Sequence, residues 1–495
     1  MSVFLGLTIT MIMSLFFSMT EVTRYFCIAK EEDSATTLAV QNVFGEYLKP
    51  LWEDYRLLAL DMSYGQDRDD TELLEEHLSS YFSGNGPDEY MEGVDLLQAG
   101  LSDCDAYNLV LLTDNDGAPL IKDAAKFELS ELPTAALSDL VGIHDQSASV
   151  NADPSGVESM VKSVGTLMLP QNLTEAAEED SYQLRRKDKG SKPGELGVAE
   201  GNPAETGDSG EVNGLNRIVL GQVLEDVGSV SNMGFLAGER VSGRPLLKGD
   251  GYCPGVSATE RILFQYYLTR HFASYRRDLG HEGLAYEQEY ILCGEETDAD
   301  NLSGTVIRLL ALREAENILS IRSDGAKMAE VHSMALATAA VMANPEMEEA
   351  VCTLIITVWA YVESLLDVRL LLNGGKVALI KSPAEWTSSL GTLGECLDVH
   401  ARARDCADGL DYETYLFTLY TLEGQKKIAY RAMDLMEDAM HHKEGCGSVC
   451  MDRMLVSADF EMTITAAPIF LTFVPLLTRR IGDYEFVKEK QMSYL

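Results

Sequence analysis

Residues Ser2–Thr20 read SVFLGLTITMIMSLFFSMT, an uncharged run closed by Glu21. At 1.5 Å rise per residue, a helix of that length just crosses a thin hydrocarbon core. The chain stays helix-compatible beyond it. Val40, Phe44, Tyr47, Leu48, Leu51, Tyr55 and Leu58 recur at helical spacing and form one apolar stripe. An anchor over 1–20 thus leads into an amphipathic stalk over 21–62, and the stripe needs a head to cover it. Pro50 falls inside the stalk and is expected to kink it or split it in two. A cleaved signal peptide is the competing reading of the first residues. The run lacks the basic start and small-residue cleavage site that reading needs. Arg24 and Lys30 follow the run, so the positive-inside rule alone does not favour an external head.

With 495 residues the chain exceeds one ordinary core, and two or three domains are expected. Its 46% hydrophobic content is that of a globular protein. The net charge of −40 argues against nucleic acid, whose phosphates need Lys and Arg, and against basic-patch docking on anionic lipid. Two readings of the charge remain. One is solubility through self-repulsion; the other is a loose surface for divalent cations or cationic polymers. Nine cysteines without a CxxC pair do not make a disulfide framework. Cys446 with Cys450, and Cys396 with Cys406, stand close enough in sequence to bridge in an oxidising compartment.

The rest divides by texture. Residues 63–173 read as an α/β part of the head. Thr71–Phe82 is a short amphipathic helix there, and Asn108–Thr113 a strand closed by the turn Asp114-Asn115-Asp116-Gly117. A calcium loop is the alternative for that turn, but the remaining ligands and the closing Glu are missing. Residues 174–215 have the composition of a disordered acidic linker. Residues 216–445 read as a mainly helical core. Within them LAYEQEYILC (Leu284–Cys293) alternates like a strand, with Glu287 and Glu289 on its solvent face. Met347–Leu372 is the most apolar internal helix. Its uncharged centre, Ala350–Val362, is too short to span a bilayer and fits a buried bundle helix. Asn373-Gly374-Gly375 should cap it. Glu423–His442 is amphipathic, with Ile428, Met433, Met436 and Met440 inward. Residues 446–495 contain β-structure, because Leu455–Ala466 alternates. Met462–Thr478 is uncharged and followed by Arg479-Arg480, which reads as a buried strand and loop or as a second span.

Motifs that carry chemistry are sparse. There is no HExxH, no complete P-loop and no dinucleotide fingerprint. Gly374-Gly375-Lys376 is followed by Val377, and GDSGE (Gly207–Glu211) lies in the linker. His441, His442, Cys446 and Cys450 are the one metal-like set. They read either as a helix end and loop or as zinc ligands, although adjacent helical histidines point about 100° apart. The pair Glu287 and Glu289 reads as a solvated face or as acid/base carboxylates, with no partner His or nucleophile tied to them. His271 sits on an apolar face and is expected to be packed. No catalytic, cofactor-binding or metal residue is assigned, and the chain reads as a non-enzyme.

Blocks along the chain carry a resemblance. They are SVFLGLTIT, QNVFGEYLKPLWEDYRLLALDMSYG (Gln41–Gly65), RILFQYYLTRHFASY (Arg261–Tyr275), YEQEYILCG (Tyr286–Gly294), NLSGTVIRLLALREAENIL (Asn301–Leu319), VWAYVESLLDVRLLLNGGKVALIKSPAEW (Val358–Trp386) and GLDYETYL (Gly409–Leu416). Together these resemble an uncharacterised Gram-positive, mostly clostridial, family of single-anchor membrane proteins. That family is similar in setting to the pseudopilin-like TadE and TadG components of Tad/Flp-type pilus systems. The chain departs from prepilins in lacking a Glu soon after the early glycine: Met11 stands five residues past Gly6. The resemblance implies a head outside the cytoplasmic membrane, held by residues 2–20, with pilus or secretion-system proteins as partners and no cofactor. The expected fold is α+β and helix-dominated, with a transmembrane helix, a stalk and an extracytoplasmic mixed head. The alternative function is an anchored binding module for an envelope ligand or divalent cation.

Overall fold

Helix α1 runs unbroken from Ser2 to Phe44. A computed structural model describes residues 2–66, 68, 70–84, 97–133, 140–143, 231–342, 344–398, 400–473 and 482–495. The first half of α1 stands clear of the rest. Its hydroxyls turn inward: Thr8, Thr10, Ser18 and Thr20 each donate to the carbonyl four residues earlier. That removes their demand for water, as an apolar medium requires. From Glu21 onward one face is buried, through Arg24, Ile28, Glu32, Ala35, Ala39 and Val43. This spacing of three and four is the signature of a helix laid on a core.

Gly45 ends α1, and α2 (Lys49–Tyr55) begins with Pro50 in its first turn, where a missing N–H costs nothing. Pro50 therefore splits the stalk. The split also divides the stripe. Val40 and Phe44 enter one core, whereas Leu51 and Tyr55 enter another. Arg56 is left-handed (φ 57°) and ends α2. The extended chain beyond it buries Leu57 and Ala59 in place of Leu58.

Four antiparallel strands form one sheet. They are β1 (Leu60–Asp61), β2 (Ala99–Leu111), β3 (Met454–Ala466) and β4 (Tyr484–Ser493). Strand β3 is central, with β2 on one side and β4 and β1 on the other. The alternation read in Leu455–Ala466 is this strand. Ala458, Phe460, Met462 and Ile464 face a core shared with α1 and with α3 (Glu72–Gly84). Helix α1 and β4 run side by side in the same direction. Tyr25 lies against Tyr484 and Phe486, Lys490 pairs with Asp33, and the Tyr494 ring meets Phe44. Strand β2 bulges at Asn108 (φ 51°). The bulge is held by Asp250, whose carboxylate accepts the amides of Asn108 and Leu109.

The helical body packs against the other end of the sheet. It comprises α4 (Asp114–Glu131), α5 (Ala258–His271), α6 (Glu287–Cys293), α7 (Asp298–Ser323), α8 (Gly325–Val341), α9 (Glu348–Leu372), α10 (Leu393–Cys396), α11 (Tyr412–Tyr420) and α12 (Gln425–His441). Two helices in the described residues are long and apolar enough to cross a membrane, α1 and α9. The apolar window of α9 is 67% buried inside the protein, whereas that of α1 is 6% buried. Thus α9 is a core helix, and the apolar first half of α1 has no cover within the described residues. Asn373 caps α9, followed by left-handed Gly374 (φ 84°).

The alternating stretch Leu284–Cys293 is a helix and not a strand. Residues 287–292 are all buried, so no solvated face exists to give the alternation its meaning. Left-handed Gly294 (φ 79°) caps the helix. The stretch Met462–Thr478 finishes β3 at Ala466 and then forms a turn at Phe470–Phe473. Its remainder lies outside the described residues, as do the linker 174–215 and GDSGE.

Candidate functional site

The first charges of the chain mark where α1 meets the head. Glu21 and Arg24 are buried, 2.6 Å apart on successive turns. Glu21 also accepts the backbone amide of Phe470 at 2.6 Å, and Arg24 donates to the carbonyl of Leu97. Each buried charge is thus paired and hydrogen-bonded, as burial demands. Below this clamp the helix is bare. Phe4 is 75% exposed, Met11 70%, Phe16 61% and Met19 64%. Exposed apolar side chains follow one another through residues 4–19, a contiguous apolar surface of the kind that marks a membrane or protein contact.

A second feature is an open groove of about 750 Å³. Its walls are the β2–α4 turn, the strap 241–255 and the start of α12. Asn115, Asp116 and Gly117 are consecutively left-handed, with φ of 47°, 59° and 80°. Only a short polar pair followed by glycine adopts this readily. The Asp114 carboxylate accepts the amides of Leu111 (2.7 Å) and Gly249 (3.1 Å), and burial raises its pKa. Asp116 pairs with Lys426 at 3.0 Å. Asn115 donates to the Cys253 carbonyl, and Tyr430 donates to that of Thr113. Both acidic side chains of the turn are therefore engaged by donors of the protein, which supports the turn reading over the calcium loop. Lys248 and Lys426 line the groove.

The structure does not bring His441, His442, Cys446 and Cys450 together as ligands. His441 Nε2 lies 2.7 Å from the Val449 carbonyl, and His442 Nδ1 lies 2.8 Å from that of Asp438. Cys450 does approach Glu437 and Asp452. Arg244 occupies those carboxylates, pairing with Asp452 at 2.6 Å and bidentately with Glu437. Burial, then Glu437, pushes the Cys450 thiol up to about 11. All nine cysteines are free, including the two pairs close in sequence. Cys406 instead lies 2.9 Å from the Glu385 carboxylate.

Glu287 and Glu289, read as a solvated pair, are buried acceptors. Glu287 takes the Ala273 amide and His281 Nδ1 at 2.9 Å. Glu289 takes the Tyr412 hydroxyl at 2.6 Å and the Tyr275 amide at 3.0 Å. Burial pushes the Glu289 carboxyl up to about 7. The two carboxylates hold the turn after α5, and His281 is a partner of Glu287 that the sequence reading does not tie to the pair. His271 is packed, stacked on Tyr267 and 3.2 Å from Glu128.

Sequence reasoning missed the ionic centre of the body. Arg313 of α7 is fully buried. It donates to Asp367 of α9 at 2.8 and 3.0 Å, to the Tyr415 hydroxyl at 2.9 Å and to the Leu379 carbonyl at 3.0 Å, and pairs with Glu316. Lys381 bridges Asp367 and Glu363, and Glu363 also accepts the amides of Thr387 and Ser388. This network ties the loop after α9 to the helices. The available signal was a polar row, Arg313, Glu316, Asn317 and Ser320, interrupting the apolar face of Val306 and Leu309. Its charges are paired and sealed from water, so its role is structural.

The chain was compared with known families, curated proteins and solved structures. Residues 200–466 match a family of unknown function (DUF5702). No curated protein and no solved structure matches. The matched span carries the helical body from α5 onward and all of β3, the strand on which the sheet is built. It is more than half of the 495 residues, and the chain therefore belongs to this family of unknown function.

Proposed function

We propose that the chain is a non-enzymatic, membrane-anchored component of a Tad/Flp-like pilus or surface-appendage assembly system, with its head outside the cytoplasmic membrane. One observation carries the reading. A single 43-residue helix is bare and apolar in its first half and packed on an antiparallel sheet in its second. Such a helix needs an apolar partner outside its own chain, either a bilayer or the helices of neighbouring subunits. The quoted sequence blocks supply the pilus setting, and the ionic centre around Arg313, Asp367, Glu363 and Lys381 is engaged in structural pairs. The test joins protease shaving of intact cells, with a tag at the C-terminus, to electron microscopy of a deletion strain. Loss of the tag from intact cells and loss of appendages are expected. A tag cut only after lysis inverts the topology, and unchanged appendages remove the assembly role.

The second reading, an anchored binding module, rests on the groove. Asp114 accepts two backbone amides, Asp116 and Lys426 pair with each other, and Lys248 also lines the groove, so an anionic envelope ligand suits it better than a divalent cation. Saturable binding of anionic wall polymer that is lost in Lys248→Glu would favour this reading.

A further inference from the structure

We propose that the β3–β4 connection at Phe470–Phe473 is a second membrane contact, resting in the headgroup region of the bilayer beside α1. The inference deepens the anchor reading and rests on it. Four observations carry it. First, the side-by-side course of α1 and β4 places the β3–β4 end of the sheet at the bare end of the helix. Second, the turn is fastened to the first charge of the chain, because Glu21 accepts the Phe470 amide. That bond removes a backbone donor that would otherwise resist leaving water. Third, a recess of about 340 Å³ opens between helix and turn, lined by Ser18, Glu21, Val22, Tyr25, Phe26, Leu471 and Tyr484. Val22 and Phe26 stay 56% and 67% exposed at its edge. Fourth, two of its aromatic residues, Tyr25 and Tyr484, are of the amphipathic kind that concentrates where hydrocarbon meets headgroups.

Continuity selects the occupant. The apolar surface of residues 4–19 runs on into this recess, whose one charged wall residue, Glu21, is buried and paired with Arg24. The medium that covers the helix therefore also covers the turn. No basic patch is needed, so a neutral bilayer suffices despite the net charge of −40. The consequence is mechanical. One helix alone leaves a head free to swivel, whereas a helix and a turn at the same depth fix its tilt.

The full chain in neutral phosphatidylcholine vesicles tests this. Leu471→Trp, and Ile469→Trp as a second variant, are read against Phe16→Trp, with the parent emission of Trp52, Trp359 and Trp386 subtracted. Quenching of both turn variants by lipid brominated near the headgroup, and weaker quenching by lipid brominated at the chain end, is expected. If Phe16→Trp is quenched and neither turn variant is, the inference falls and the anchor stands. If none is quenched, the anchor reading falls with it. Shielding of the turn variants from aqueous iodide that appears only at high protein density, without lipid quenching, would assign the recess to a second copy and overturn the proposal.

Discussion

The sheet layer and the helical body share β3 but are held together by different forces. In the layer, Phe44, Phe460, Met462, Ile464 and Phe486 make an apolar sandwich of helix on sheet. Its stability comes from area removed from water. The body contains an apolar core too, but Arg313, Asp367, Glu363 and Lys381 stand at its centre, all buried. There the fold depends on each charge keeping its partner. Apolar packing tolerates volume-conserving change, whereas a buried ion network tolerates loss of no single member.

The largest expected effect breaks the body. Arg313→Ala leaves Asp367 and Glu316 without their main cation in a sealed interior. Removing one partner of such a network costs about 3–5 kcal/mol. Thermal unfolding followed by circular dichroism should show a drop of many degrees or failure to fold. Tyr415→Phe removes one charge-assisted bond to the same guanidinium and should cost about 1.5–3 kcal/mol. Equal losses for the two variants would show that Arg313 is held by its packing and not by its charge.

The next effect breaks the layer. Phe44→Asp places a carboxylate against Phe460 and Tyr494, with the loss of a large side chain at about 3–5 kcal/mol. Hydrogen exchange should rise across α1 from Ile28 onward and across β2–β4, while α7 and α9 stay protected. Uniform exposure of both regions would make them one cooperative unit and dissolve the comparison.

The two regions also differed in how far the sequence foretold them. Period-two alternation in Leu455–Ala466 became β3, because one face of that strand is covered and the other is not. The apolar run of α1 and the amphipathic pattern of α12, with Met433, Met436 and Met440 inward, were legible for the same reason. Leu284–Cys293 misled because both faces are buried and its acids are acceptors for the amides of Ala273 and Tyr275. Those partners come from another element, so no local pattern announces them. The same holds for Asp434, Glu437 and Asp438 on α12, which accept amides from Ser242, Met451 and Gly234. These five acids, part of the net negative charge, thus hold loops. The stalk stripe failed at the turn following Phe44, where one period was shared by two helices pointing into different cores. The clamp of Glu21 on Phe470 joins residues far apart in sequence and had no signal.

A smaller effect, of opposite sign, sharpens the contrast in electrostatics. Glu314 of α7 is buried with Oε1 unpartnered, and burial pushes its carboxyl up to about 7. Unfolded, it titrates near the ordinary glutamate value of 4.5. Between those values the folded chain binds more protons, so its contribution is full below about pH 4.5 and is lost as pH climbs through 7. Glu314→Gln should stabilise by about 1–3 kcal/mol at pH 8 and change little at pH 5. In the layer, Glu32 of α1 has both oxygens unpartnered and is likewise pushed up to about 7 by burial, against the pull of Lys488. Glu32→Gln should act in the same direction. A parent protein whose melting temperature rises from pH 5 to pH 8 would refute this account of both acids.

The smallest effect probes a local device in the body that owes nothing to its ion network. Helix α5 opens on a capping box: Ser257 Oγ accepts the Glu260 amide at 3.2 Å, and the Glu260 carboxylate accepts the Ser257 amide at 2.7 Å. Ser257→Ala leaves the Glu260 amide at an exposed helix end, where water replaces the lost acceptor, so the cost should be about 1 kcal/mol. Added to Arg313→Ala the loss should be additive, because the cap touches neither Asp367 nor Glu316. Coupling well beyond the error of the two single measurements would mean that the entry of α5 reports on the ionic centre. The body would then be one network from its caps to its core, and its difference from the apolar layer would be greater than packing alone implies.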